Sequence, residues 1–133
     1  MTLKEYFAGD HFASDAGMEI TMLEKGHAVV EMTVDDRHLN GANFCQGGVF
    51  FTLADLAFAC ATNSHGIPTV TVSANITILR AATKGMRLRA EAHEIFDHKA
   101  LPFAEVRVTD GDGALLAFLT ASGYRKQNAP PLV

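Results

Sequence analysis

Between Arg37 and Arg80 the chain carries one formally charged side chain, Asp55. It interrupts an otherwise apolar run from Gln46 to Asn63, which two glycines (Gly47 and Gly48) open and Ser64-His65-Gly66-Ile67-Pro68 closes. That length and those stop signals predict one long helix over Gln46–Asn63. A helix apolar on nearly every face has to be buried, so the rest of the fold must be organised to cover it. An acid in such a helix, with no cation in sequence reach, loses hydration. The loss disfavours its charged form and pushes its pKa upward. Two readings of Asp55 follow: an acid satisfied by backbone or hydroxyl groups, or a working acid or base. The apolar surroundings favour the second.

The flanking sequence switches to period two. After a short, weakly amphipathic helix over Leu3–Phe12, ending near Ser14–Gly17, a strand to about Leu23 and another over His27–Val34 make a hairpin around Glu24-Lys25-Gly26. A polar loop, Asp35–Asn43, leads to the long helix, with Asn40 and Asn43 as turn formers. Four strands follow. In the first, Val70, Val72, Ala74, Ile76 and Ile78 alternate with Thr69, Thr71, Ser73, Asn75 and Thr77; the others run over Met86–Ile95, Leu101–Thr109 and Ala114–Tyr124. Ala81–Gly85 and Asp110–Gly113 read as turns, and the tail from Arg125 to Val133 as frayed. The expectation is an α+β fold, one domain over 1–133, with an antiparallel sheet wrapped around the central helix.

The totals exclude several functions. A formal charge of −4 with no basic run argues against nucleic acid as a partner. The start lacks a secretory profile, and the apolar stretch from Val49 to Ala61 is too short to span a membrane, so a cytoplasmic protein is expected. Cys45 and Cys60 form no disulfide framework. There is no serine-hydrolase elbow and no phosphate loop. The six histidines make no pair at metal-ligand spacing, and Asp110–Gly113 lacks the later ligands of a calcium loop, with Ala114 and Ala121 in their place. No metal is implied.

What remains gathers at the helix start. Gly47 and Gly48 place backbone N–H groups at the positive end of the helix dipole, a cradle for a carbonyl oxygen gaining negative charge, and Gln46 adds an amide donor. Asp55 lies about nine residues on from Gln46, roughly 13 Å along the axis. That is out of reach of a group held at its own helix start. A symmetric dimer with two antiparallel helices side by side resolves this, bringing one chain's Asp55 to the other's Gly47, with the sheet continuing across the interface.

His38-Leu39-Asn40, then Gln46-Gly47-Gly48, then Leu53-Ala54-Asp55-Leu56-Ala57 resembles the hotdog-fold acyl-CoA thioesterases of the phenylacetate-degradation (PaaI) type, and the order of elements agrees over nearly the whole chain. The resemblance implies that Asp55 is nucleophile or general base towards a thioester carbonyl. It implies that Gly47 N–H of the partner subunit polarises that carbonyl, that Asn40 positions thioester or water, and that Ser73 helps orient the water. It further implies dimers paired into tetramers, coenzyme A along a subunit interface as part of the substrate, aryl or medium-chain acyl groups, and no cofactor. Gly48, Arg80, Lys84 and Arg87 become candidate substrate contacts, the cations through the coenzyme A phosphates. These cations and Arg89 equally fit a solvated strand face balancing Glu91 and Glu94. The family has histidine where this chain has Gln46, which can donate a hydrogen bond but cannot carry a proton. Two rival readings are a hotdog hydratase, which needs a histidine near the helix, and a non-catalytic acyl-CoA-binding module.

Overall fold

The period-two segments pair into one antiparallel sheet. In the computed structural model, which describes residues 1–133, the strands are β1 (Glu19–Glu24), β2 (His27–Thr33), β3 (Thr69–Ile78), β4 (Arg87–Phe96), β5 (Phe103–Thr109) and β6 (Leu115–Arg125). They lie side by side in the order β1-β2-β4-β5-β6-β3. Two short helices, α1 (Leu3–Ala8) and α2 (His11–Asp15), precede the sheet, and the long helix α3 (Gly47–Asn63) lies across it. This is the hotdog architecture: a six-stranded sheet around one central helix.

Burial explains the arrangement. Phe50, Leu53 and Phe58 of α3 are fully buried against the inward residues of the central strands, among them Met32, Leu88, Val106 and Leu119. Each such side chain contributes about 1.5–3 kcal/mol on leaving water. Alanines at inward positions of the central strands (Ala28, Ala90, Ala92, Ala104, Ala117) are also fully buried and let helix and sheet approach closely.

Several expectations need correction. The first predicted helix is two, because the Asp10 carboxylate accepts a hydrogen bond from Ala13 N (3.1 Å) and starts a new helix after Gly9. The tail is pinned rather than frayed. Leu132 is buried and its N–H donates to Gly66 O (2.7 Å), while Val133 exchanges backbone bonds with Leu3 and Met1 (3.0 and 3.1 Å). The long helix is left partly open within one chain, on the face that the expected second subunit would take: Gly48, Phe51, Thr52, Asp55 and Ala59, at helical spacing, form a stripe open to differing degrees.

The third correction concerns β3. Thr71 pairs with Gly123 and Ser73 with Ser122, so Val72 is an extra residue, a bulge. The bulge reverses the alternation. Thr69 and Thr71 turn toward the helix before it, and Ala74 and Ile76 after it, which leaves Val70, Val72 and Ser73 exposed. Strict alternation puts the valines inside, and they are outside.

Candidate active site

The start of α3 is built to leave donors free. Gln46 is the N-cap, but its side chain makes no capping hydrogen bond, and neither Gly47 N–H nor Gly48 N–H meets an acceptor in the protein. The Gln46 amide instead leans over the helix entry. A Cβ on Gly48 would sit 2.8 Å from Gln46 Oε1, so a side chain at 48 would push the glutamine away. Two unpaired N–H groups at a helix N-terminus form an electropositive site for a developing oxyanion.

The loop before the helix is held from both ends. His38 is buried; its Nδ1 accepts from Asp35 N (2.9 Å) and its Nε2 donates to Ala16 O (2.7 Å). Both ring nitrogens are therefore committed to ordering the chain, and the tautomer is fixed by the Asp35 donor. Asn40 Oδ1 accepts from Ala42 N and Phe44 N (2.9 and 3.1 Å), which leaves its amide NH₂ free to donate outward. Asn40, Gly47 and Arg80 line one cleft of about 310 Å³, together with Phe44, Phe50 and Ile78. Gln46 and Gly48 line a second cleft on the other side of the helix start, with Arg37, His38 and Phe51.

Asp55 sits two turns further along the open stripe, half-buried. Its Oδ1 accepts a 2.8 Å hydrogen bond from Thr71 Oγ1, the hydroxyl the β3 bulge turns toward the helix. Burial raises its pKa above the ordinary aspartate value; the Thr71 bond opposes the rise, and the Asp10 charge adds to it. Raising a carboxylate's pKa makes it a better base near neutrality. The two thiols are the opposite case: burial pushes Cys45 up to about 11 and Cys60 to about 12, which removes them as nucleophiles.

The remaining candidates divide. Arg80 is exposed and makes no ion pair. Lys84 pairs with Asp36 (3.0 Å), and Arg87 lies 3.8 Å from Glu31 and 3.2 Å from Thr33 Oγ1, so both are engaged with neighbours on the solvated face. Ser73 is exposed and is not the hydroxyl on Asp55 within the chain; Thr71 is. Thr71 was missed because a bulge leaves no mark in a regular Val/Thr alternation.

A profile described as the thioesterase superfamily matches residues 42–117, and the chain belongs to that family. The acyl-coenzyme A thioesterase PaaI of Escherichia coli is 33% identical over 119 residues, covering 90% of this chain and 85% of that protein. The solved structure of E. coli PaaI superposes with a TM-score of 0.91 at 30% identity, covering 98% of this chain and 93% of that one. Human acyl-coenzyme A thioesterase 13 is 33% identical over 97 residues, 69% of this chain and 68% of that protein. A Streptococcus mutans structure bound to acetyl-CoA matches with a TM-score of 0.81 at 26% identity, covering 88% and 92%.

Proposed function

We propose that this chain hydrolyses acyl-CoA thioesters at sites shared between two copies of itself. The observation that carries the reading is the pairing of unsatisfied Gly47 and Gly48 N–H groups with a raised-pKa acid on the open stripe of the same rigid helix. The E. coli and human relatives, both acyl-CoA thioesterases by name, supply the substrate class.

In this mechanism the thioester carbonyl lies against Gly47 N–H with the Asn40 amide beside it in the same cleft, while Gln46 stands across the helix start in the second cleft. Asp55 of the partner subunit acts by one of two routes. As a base it takes a proton from water; the hydroxide adds to the carbonyl, and the tetrahedral oxyanion collapses with loss of coenzyme A thiolate, which is then protonated. As a nucleophile it attacks directly, expels the thiolate and leaves a mixed anhydride that water cleaves. Neither route needs a metal or redox group. Thr71 holds the carboxylate, Ser73 is exposed on the same strand, and Arg80 is the candidate cation free to meet a coenzyme A phosphate.

Two features support the shared site. The open stripe on α3 is the surface two antiparallel helices would share, and β3 is a ten-residue sheet edge with Val70 and Val72 exposed. Long apolar edges invite pairing. A homodimer, and dimers paired into a tetramer, follow on this reading, with aryl or medium-chain acyl groups and a cytoplasmic setting. No helix is long and apolar enough to cross a membrane. The hydratase alternative loses ground because His38 has no free nitrogen.

The test is thiol release from aryl, short-chain and medium-chain acyl-CoAs by wild type and Asp55→Asn. Asparagine keeps an acceptor for Thr71 but cannot act as base or nucleophile, so turnover falls at least about a hundredfold. Binding without turnover by both proteins would instead make this an acyl-CoA-binding module.

A further inference from the structure

His27 and His93 stand directly opposite each other in the β2–β4 pairing, and Glu91, two residues before His93, points to the same face. The two rings stack with centroids 4.2 Å apart and planes 21° from parallel. Glu91 Oε2 lies 2.6 Å from His27 Nε2 and 3.5 Å from His93 Nε2. The flanking residues Ala28, Ala90 and Ala92 are fully buried toward α3, so the cluster is on the outer face of the sheet, away from the thioesterase cleft. None of its members takes part in the chemistry above.

We propose that His27, Glu91 and His93 form a binding site for a divalent transition-metal ion of the zinc class. Two imidazole nitrogens and one carboxylate oxygen are the donor set such ions prefer, while magnesium and calcium favour all-oxygen sites. Tetrahedral zinc with bonds of 2.0–2.1 Å holds its ligand atoms about 3.3 Å apart. The Glu91–His93 separation of 3.5 Å is close to that spacing, and all three ligand atoms lie within 4.8 Å of one another. The 2.6 Å hydrogen bond opens when its proton gives way to a metal, and the near-parallel rings turn about their side-chain bonds so that both in-plane lone pairs meet on the ion. The surroundings orient the ligands. Arg89 Nη1 binds Glu91 Oε1 at 2.8 Å, which leaves Oε2 as the donor. Half-exposure of the three residues leaves the fourth position to water or to a ligand from outside.

A second cluster, His65, Glu94 and Asp97, has similar donors but already holds a cation. The Arg125 guanidinium sits 2.7 Å from Asp97 and 3.5 Å from Glu94, where a metal would have to go. In the β2–β4 cluster the cation, Arg89, sits on Glu91 Oε1 and leaves Oε2 to the two histidines. A metal there would clamp strands whose residues lie far apart in sequence, and would stabilise the fold by mass action.

The experiment uses the full-length, tag-free protein, stripped of metal with a chelator and titrated with zinc chloride by calorimetry and in thermal melts. The result expected is one zinc per chain and a rise in Tm with zinc. Glu91→Gln and His93→Gln should each weaken binding at least about tenfold and lose the Tm rise, with metal-free melts confirming that the variants fold. His65→Gln should bind as wild type does, and thioesterase turnover should not change with zinc occupancy. No binding by wild type at millimolar zinc, binding that survives both substitutions, or loss in His65→Gln overturns the assignment.

Discussion

Replacing Gly47 by proline removes one N–H from the site and little else. Proline is tolerated at the first position of a helix, where the missing donor has no intrahelical partner. The preceding residue must be extended, and Gln46 already is, with φ −66° and ψ 143°. Gly47 N–H donates to nothing in the protein, so no structural hydrogen bond is lost. The one crowding is steric: a Cβ at 47 meets Ile78 Cδ1 at 3.1 Å, the end of a flexible side chain that must move a few tenths of an ångström. Alanine makes the same contact and keeps the donor, so it is the matched control. Loss of one oxyanion donor costs a factor of about 100–1,000 in kcat, or about 2.7–4 kcal/mol of barrier. Gly47→Pro should therefore lose turnover by about that factor, while Gly47→Ala stays within a few-fold, with similar melting temperatures for both. Thiol release under saturating acyl-CoA reads the first, and melts read the second. If proline is as active as alanine, or alanine as damaged as proline, the N–H is not what holds the carbonyl.

Two other perturbations test separate parts of the structure. In the proposed mechanism Asp55 acts ionised, so activity should be present above its raised pKa and fall as pH drops through it. Thr71→Val removes the bond that opposes the rise and should move the acid limb of the kcat/KM profile to higher pH; an unmoved limb would show that Thr71 does not touch the working carboxylate. At the far end of α3, Arg125 is buried against Glu94, donates to His98 O (2.8 Å), and holds Asp97 below the usual carboxylate range. The depressed Asp97 adds stability above the ordinary aspartate pKa that is lost as pH falls through its lowered value. Arg125→Ala leaves the buried Glu94 with His65 (2.8 Å) as its one remaining partner and should cost about 3 kcal/mol in urea melts at neutral pH; a loss under about 1 kcal/mol would mean that the His65 bond is enough for Glu94.

The sequence made the architecture legible because each element carried its own period. One long helix with defined ends and strands with strict alternation left few ways to pack, and strand ends agree with the expected ones to within a residue or two. The helix start was legible for the same reason: two adjacent glycines ahead of an apolar run have a local meaning. Contacts made by register were not legible. Thr71 reaches Asp55 only because Val72 bulges, and a bulge costs nothing visible in a Val/Thr alternation. His27 and His93, 66 positions apart by number, meet only because β2 pairs with β4 and not with β3. A search for histidine pairs along the chain has no access to that. The pinned tail is a similar case, since Leu132 finds Gly66 across the fold.

The central claim is that each active site takes Asp55 from one chain and Gly47 from another. Mixing subunits tests it directly. Asp55→Asn and Gly47→Pro are prepared separately, each nearly inactive, then unfolded together in equal amounts and refolded. In a mixed dimer one site combines both defects and the other combines neither, so the mixture should recover about a quarter of wild-type specific activity if chains pair at random. No recovery above the two parents, with mixed dimers shown to form, would place both residues' work within a single chain and contradict the account.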